Sequence, residues 1–357
     1  RRHGQSRCPS ALRRPHPPFQ SPSFFPGIEI VRTIGACGVG RQGRPGQNRP
    51  STVKLSQLES LFGESRSRRS RRVASRMKHE EISDDRIDYH PCRYGNSRLF
   101  FRGPRKSLKE RYVAFIGGTE TYGKGVERPF PELVEQDIGV SCVNFGVVNA
   151  SVDAFLPETP VLEACQGAAL NIVQVMGAHN MSNRFYTVHP RRNDRFVRAS
   201  SVMRAIYPDV DFTEFSFTRH MLESLHDLSP ERFEIIQSEL QMAWRARMRS
   251  FLGEIGAHTL LLWISESLPS NADLEDRSDP LNTEPLFVTR NMLDELRPHV
   301  QGVILVPTAG HLRNSREAGR LLGRDGHELA SDAIAKALEN RLDAPERKGP
   351  SMGALHR

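Results

Sequence analysis

The stretch YVAFIGGTETYGKGV, residues 112–126, decides the fold. Six apolar or small residues run without a polar break and then stop at Gly117-Gly118-Thr119-Glu120. A continuous apolar run of this length, closed by glycines, reads as a strand covered on both faces, which is the habit of parallel sheets. Four more such runs follow: VSCVNFG (140–146), NIVQVMG (171–177), TLLLWIS (259–265) and GVILVPT (302–308).

Helical patterns separate them. ERPFPELVEQDIG carries prolines at its start and Gly139 at its end, and DAFLPETPVLEACQG reads as a second helix. In the long segment 229–256, Phe233, Ile236, Leu240, Trp244, Met248, Phe251 and Ile255 recur at spacings of three and four, one apolar stripe. Ser229 suits its N-cap, Pro230 its first turn and Gly256 its stop. A last helix covers DGHELASDAIAKALENRL. Strand–helix alternation repeated five times predicts an α/β domain: three layers, α/β/α, around a five-stranded, mostly parallel sheet of the flavodoxin-like sort. Residues 178–228 break the alternation and read as an insertion after the third strand. Residues 266–283 read as a polar loop after the fourth.

Charge divides the 357-residue chain unevenly. Residues 1–76 hold 16 Lys and Arg against 3 Asp and Glu, a net of +13; removing them from the totals of 50 and 42 leaves −5 for residues 77–357. The first segment is rich in Arg, Pro, Ser and Gly, a composition that buries too little apolar surface to offset ordering entropy. It is expected to be a disordered basic tail (suited to RNA, an anionic membrane or organelle targeting) or upstream sequence translated by an overlong gene model. The start at Arg1 and the change of composition at Met77 favour the second. Residues 77–345 are expected to form one domain and 346–357 a disordered tail. The acidic remainder argues against nucleic acid as its partner.

No apolar run approaches the ~18 residues of a membrane helix, and no secretory leader follows Arg1 or Met77. Cys92, Cys142 and Cys165 are scattered without a CxxC pair, so neither zinc nor a disulfide framework is indicated. A cytoplasmic location, no cofactor and no metal are the expectations. Oligomeric state stays open.

In an open parallel sheet, ligands bind outside the carboxyl ends of the strands, where strand order reverses. The turn 117–123 is therefore the first place for a site. Gly118, Gly123 and Lys124 fit G-x-x-x-x-G-K, a nucleotide-phosphate loop, but Gly125 stands where a metal-binding hydroxyl belongs, and Pro129 and Pro131 delay the helix.

The order of features over roughly residues 110–345 resembles the SGNH (GDSL-type) hydrolases. The resemblance places the nucleophile at Thr119 in the triplet Gly117-Gly118-Thr119, and an oxyanion-hole N–H at Gly146. In the block GAHN (177–180), His179 stands where the family has asparagine, and Asn180 is the neighbouring oxyanion donor. His327, in Asp325-Gly326-His327, is the implied base; the spacing is one residue short, and i and i+2 do not share a helix face. His311 is the substitute base, and Glu120 a further one acting through water. Longer blocks, among them DYHPCRYGNSRLFFRGPRKSL, FIGGTETYGKGV and VQVMGAHNMSNRFYTVHPRRNDRF, resemble a bacterial domain family of unestablished function.

Two classes of function follow. One is a hydrolase or acyl transferase acting on an ester of an anionic or sugar-like substrate. The other is a non-catalytic anion- or glycan-binding module, with nucleotide binding through the Gly118–Lys124 loop as a further alternative. Arg184, Arg191, Arg192 and Arg195, whose guanidinium forks suit carboxylate or phosphate, are the expected anion-binding residues. Tyr89, Tyr94, Phe100 and Phe101 are expected to bury themselves on the sheet edge, and Arg93, Arg98 and Arg102 to form surface ion pairs.

Overall fold

The computed structural model describes residues 87–271, 281, 284–315, 319–339 and 341–342. The two tails, and part of the 266–283 loop, lie outside the described residues. In chain order the elements are β1 (Tyr112–Gly117), α1 (Thr119–Tyr122), α2 (Phe130–Ile138), β2 (Ser141–Gly146), α3 (Thr159–Gln166) and β3 (Leu170–Gln174). The insertion follows as β4 (Tyr186–His189), β5 (Arg192–Ala199), α4 (Ser201–Ile206) and α5 (Thr218–Leu228). Then come α6 (Pro230–Ile255), β6 (Thr259–Ser265), α7 (Arg290–Asp294), β7 (Gly302–Pro307), β8 (Leu312–Ser315), β9 (Gly319–Leu322) and α8 (Arg324–Leu338).

The main sheet has five strands in the order β2-β1-β3-β6-β7, every pair parallel. Strand order reverses at β1, between β2 and β3, so the β1–α1 turn stands at the switch point. Alternation along β1 divides the core. Val113 and Phe115 pack with Phe130 and Val134 of α2 and with Ile334 and Leu338 of α8. Ala114 and Ile116 face the other layer, with Phe155, Val161 of α3, and Trp244 and Met248 of α6. All seven stripe residues of α6 are buried, Ser229 accepts the N–H of Arg232 as its N-cap, and Gly256 ends the helix. Gly139 caps α2 in the left-handed conformation, φ +66°, which glycine adopts without steric cost.

The arm ahead of β1 folds over the sheet edge through an antiparallel bridge between Cys92 and Phe101. Tyr94 and Phe101 bury their rings against Phe145. Phe100 does not; it is 54% exposed, with the Arg93 guanidinium 3.8 Å from its ring centroid. Its two bridge-side neighbours on the chain point inward, so the alternation of extended backbone turns it out. Arg98 pairs with the buried carboxylate of Glu158. Arg102 is itself buried, and its guanidinium donates to the carbonyls of Gly123 and Glu127. Among the described residues no helix is long and apolar enough to cross a membrane.

The indole N–H of Trp244 donates to the carbonyl of Met176 at 2.8 Å, tying α6 to the segment leaving β3. Trp244→Phe removes the donor of that buried carbonyl and part of the ring. It is expected to cost about 1–3 kcal/mol, read as a lower denaturation midpoint with an unchanged m-value.

Candidate functional site

A cavity of about 530 Å³ opens at the carboxyl ends of β1, β3 and β6, roofed by β5 and α5 of the insertion. Its floor is the opening turn: Gly118, Thr119 and Glu120. Gln174, the last residue of β3, organises that turn. Its side-chain Oε1 accepts the Gly118 N–H at 3.0 Å, the Thr121 N–H at 3.2 Å and the Thr121 hydroxyl at 2.6 Å. Its Nε2 donates to Glu120 Oε2 at 2.6 Å. A Cβ on Gly117 would lie 2.1 Å from Thr121 Oγ1 and 2.5 Å from Gln174 Oε1, so the glycine leaves room for this cluster.

Thr119 stands at the first position of α1. Its hydroxyl donates to Asn149 Oδ1 at 3.2 Å and accepts the Asn149 N–H at 3.0 Å. Asn149 Nδ2 in turn donates to Asp194 Oδ2 at 3.2 Å. Asn180 Nδ2 reaches the Asn149 carbonyl at 3.5 Å, and Asn180 Oδ1 accepts the Thr218 hydroxyl at 2.6 Å. Thr119, His179 and Asn180 all line one cavity, and Asn149 links Thr119 to Asn180.

Gly146 and His327 do not join them. The Gly146 N–H is taken by Asn144 Oδ1 at 2.8 Å. A Cβ there would lie 2.2 Å from the Tyr122 nitrogen, so this glycine serves the close approach of α1 to β2. The backbone N–H that does point at Thr119 belongs to Asn149. His327 sits in the first turn of α8, where its Nδ1 accepts the Phe130 N–H at 3.1 Å and its ring stacks on Phe130. It joins α8 to α2 and lines no part of the cavity. Asp325 lies inside α8 as well, so the two point to different faces. His311 is also absent from the lining.

The four expected anion-binding arginines lie away from the cavity. Arg184 pairs with Glu239, Arg191 and Arg192 are exposed at the β4–β5 turn, and the Arg195 guanidinium lies 4.2 Å from the ring centroid of Phe217. None lines the cavity. Its charged lining is acidic instead: Glu120, Asp194, Glu223 and Glu284 against Arg219, whose guanidinium is bonded to Glu284. The phosphate-loop alternative fails on the same turn. The N–H groups of Gly123 and Lys124 close back onto the Thr119 carbonyl, and that of Gly125 onto the Tyr89 hydroxyl. Lys124 lies over the Tyr89 ring, outside the cavity lining.

Two titratable groups of the cavity lining are perturbed. Burial pushes the Glu120 carboxyl up, partly offset by the Gln174 hydrogen bond; Glu284 raises it further. Burial, seconded by the Arg219 charge, holds the His179 imidazole well below its ordinary range, so it is neutral at pH 7. Its Nδ1 makes no hydrogen bond within the protein.

The family model described as "Domain of unknown function (DUF6473)" matches residues 77–344. The chain belongs to the DUF6473 family. A search of curated proteins finds no match. Among solved structures, this DUF6473 chain is similar to the lipase/acylhydrolase from Enterococcus faecalis, at 14% identity and TM-score 0.35, covering 65% of this chain and 97% of that one. The lipase Lip_vut3 from a goat rumen metagenome shows 13% identity and TM-score 0.31, over 66% and 100% of the two chains. A family two carbohydrate esterase from Clostridium thermocellum, in complex with cellohexaose, shows 8% identity and TM-score 0.31, over 68% and 67%. These likenesses are distant and do not bear on the chemistry of the cavity.

The Glu120 shift has a sign that can be checked. With its folded pKa raised above the ordinary 4.5, the folded state keeps a proton that the unfolded chain releases. The associated stability is full below that value and is lost as pH rises through the folded pKa. Glu120→Gln is therefore expected to gain stability relative to wild type as pH climbs from about 4.5, read as a difference in melting temperature that grows with pH.

Proposed function

We propose that the chain is a hydrolase or acyl transferase of the SGNH kind, acting on an ester, with Thr119 as nucleophile. The observation that carries this reading is the placement of the Thr119 hydroxyl on the cavity floor, with the Asn149 N–H bonded to it and the Asn180 amide on the Asn149 carbonyl in the same cavity. His179, neutral and lining the same cavity, takes the Thr119 proton once it turns away from Asn149 Oδ1, as the hydroxyl attacks the ester carbonyl. The tetrahedral oxyanion is held by the Asn180 amide, whose Nδ2 has, among the described residues, only its long contact to the Asn149 carbonyl. His179 then returns the proton to the departing alcohol. Water, activated by the same imidazole, releases the acyl group and frees Thr119.

The acidic lining turns the substrate preference away from the anion that the arginine cluster suggests. Carboxylates repel an anionic group and accept hydrogen bonds from hydroxyls. Phe217, 41% exposed at the cavity, offers an aromatic surface. An uncharged, hydroxyl-bearing ester such as an acylated sugar fits this lining. A binding module for such a sugar is the second reading. Both side-chain hydrogen bonds of Thr119 go to Asn149, and neither goes to an imidazole.

Turnover of activated esters separates the two. Thr119→Ala is expected to lower kcat/KM by about 10³-fold or more with an unchanged melting curve. Mass spectrometry after treatment with a fluorophosphonate is expected to find the adduct on Thr119. Equal rates in wild type and variant, with sugar binding retained in both, would establish the binding module instead.

A further inference from the structure

We propose that Asn149 and Asp194 are positioning residues for the Thr119 hydroxyl, a step that rests on the reading of Thr119 as nucleophile. A hydroxyl has one proton and two lone pairs. Here the Asn149 N–H occupies one lone pair at 3.0 Å, and Asn149 Oδ1 takes the proton at 3.2 Å. One lone pair is left for attack, and its direction is set by the other two bonds. A single residue thus grips the nucleophile from both main chain and side chain.

The grip needs the Asn149 amide to face one way. Asp194 fixes it, because a carboxylate accepts from Nδ2 and cannot accept from Oδ1. The Asp194 carbonyl lies 3.3 Å from the Thr218 hydroxyl, whose proton goes to Asn180 Oδ1 at 2.6 Å. The backbone of Asn149 is as specialised as its side chain. Its φ of +56° lies in the left-handed region, which asparagine tolerates far better than most residues. An amide has no basic site for the Thr119 proton. The hydroxyl–amide–carboxylate array therefore aims the nucleophile without activating it, and deprotonation falls to a different group on the cavity wall.

The test follows fluorophosphonate labelling of Thr119 and ester kinetics in the full chain. Asn149→Gly keeps the left-handed backbone and its N–H while removing the amide. It is expected to slow labelling and kcat by roughly ten- to a hundredfold, with KM unchanged. Asp194→Ala should do the same, while Asp194→Asn, which keeps an acceptor oxygen, restores most of the rate. Asp194→Ala should have no further effect once Asn149 is glycine, because it acts through that amide. If Thr119 labels in wild type and equally fast in Asn149→Gly, or if Asp194→Ala slows both backgrounds alike, the positioning role is wrong and the nucleophile stands. If wild-type Thr119 is never labelled, both fall.

Discussion

One buried side-chain amide underlies the site. Gln174 ends the central strand β3 next to β1, and its carbonyl oxygen gathers three donors from the turn that leaves β1. A buried polar group left unpaired in that position costs about 1–3 kcal/mol. The turn meets this need with the Gly118 and Thr121 main chain, and α1 starts there as a consequence. Thr119 therefore owes its place to a side chain on the adjacent strand more than to the glycines around it. The other hand of the same amide holds Glu120 and brings a carboxyl into a desolvated corner.

That corner explains the electrostatic character of the cavity. Burial raises the Glu120 pKa and lowers that of His179, so both shift toward their neutral forms. Arg219, the guanidinium among the lining residues, is spent on Glu284. The space beside Thr119 is thus poor in free positive charge and rich in hydrogen-bond acceptors, which suits uncharged hydroxyl-bearing ligands better than phosphates or sulfates.

The architecture is readable from the sequence because it rests on local signals. The five apolar runs are the five strands, and the α6 stripe is buried at every residue named. Location of the site follows from topology alone, since the end of the first strand lies at the reversal of strand order. The partners of Thr119 are not readable in this way. Asn149 and Asp194 lie 30 and 75 positions further along the chain, and nothing in local periodicity joins them. Gln174 left a trace: an amide inside NIVQVMG must find partners if the run is a buried strand. The arginines mislead because composition carries no direction. Their segment forms a hairpin whose turn faces solvent, while Asp194 reaches Asn149 at the cavity and Asn193 is buried against Ser151. His327 misleads differently. A histidine near the start of the last helix fits an expected order of motifs, yet its ring completes the packing between two helices.

The arm ahead of the sheet has a consequence for where the working molecule begins. Arg102 grips the carbonyls of Gly123 and Glu127 from a segment that contributes no strand to the main sheet. The stretch it grips follows directly on α1. A chain trimmed to start at β1 would lose the Arg102 clamp on the exit of the Thr119 turn. The arm thus serves two ends at once: Tyr94, Leu99 and Phe101 fill core space with Phe145, while Arg102 secures the stretch beyond the hydroxyl-bearing turn.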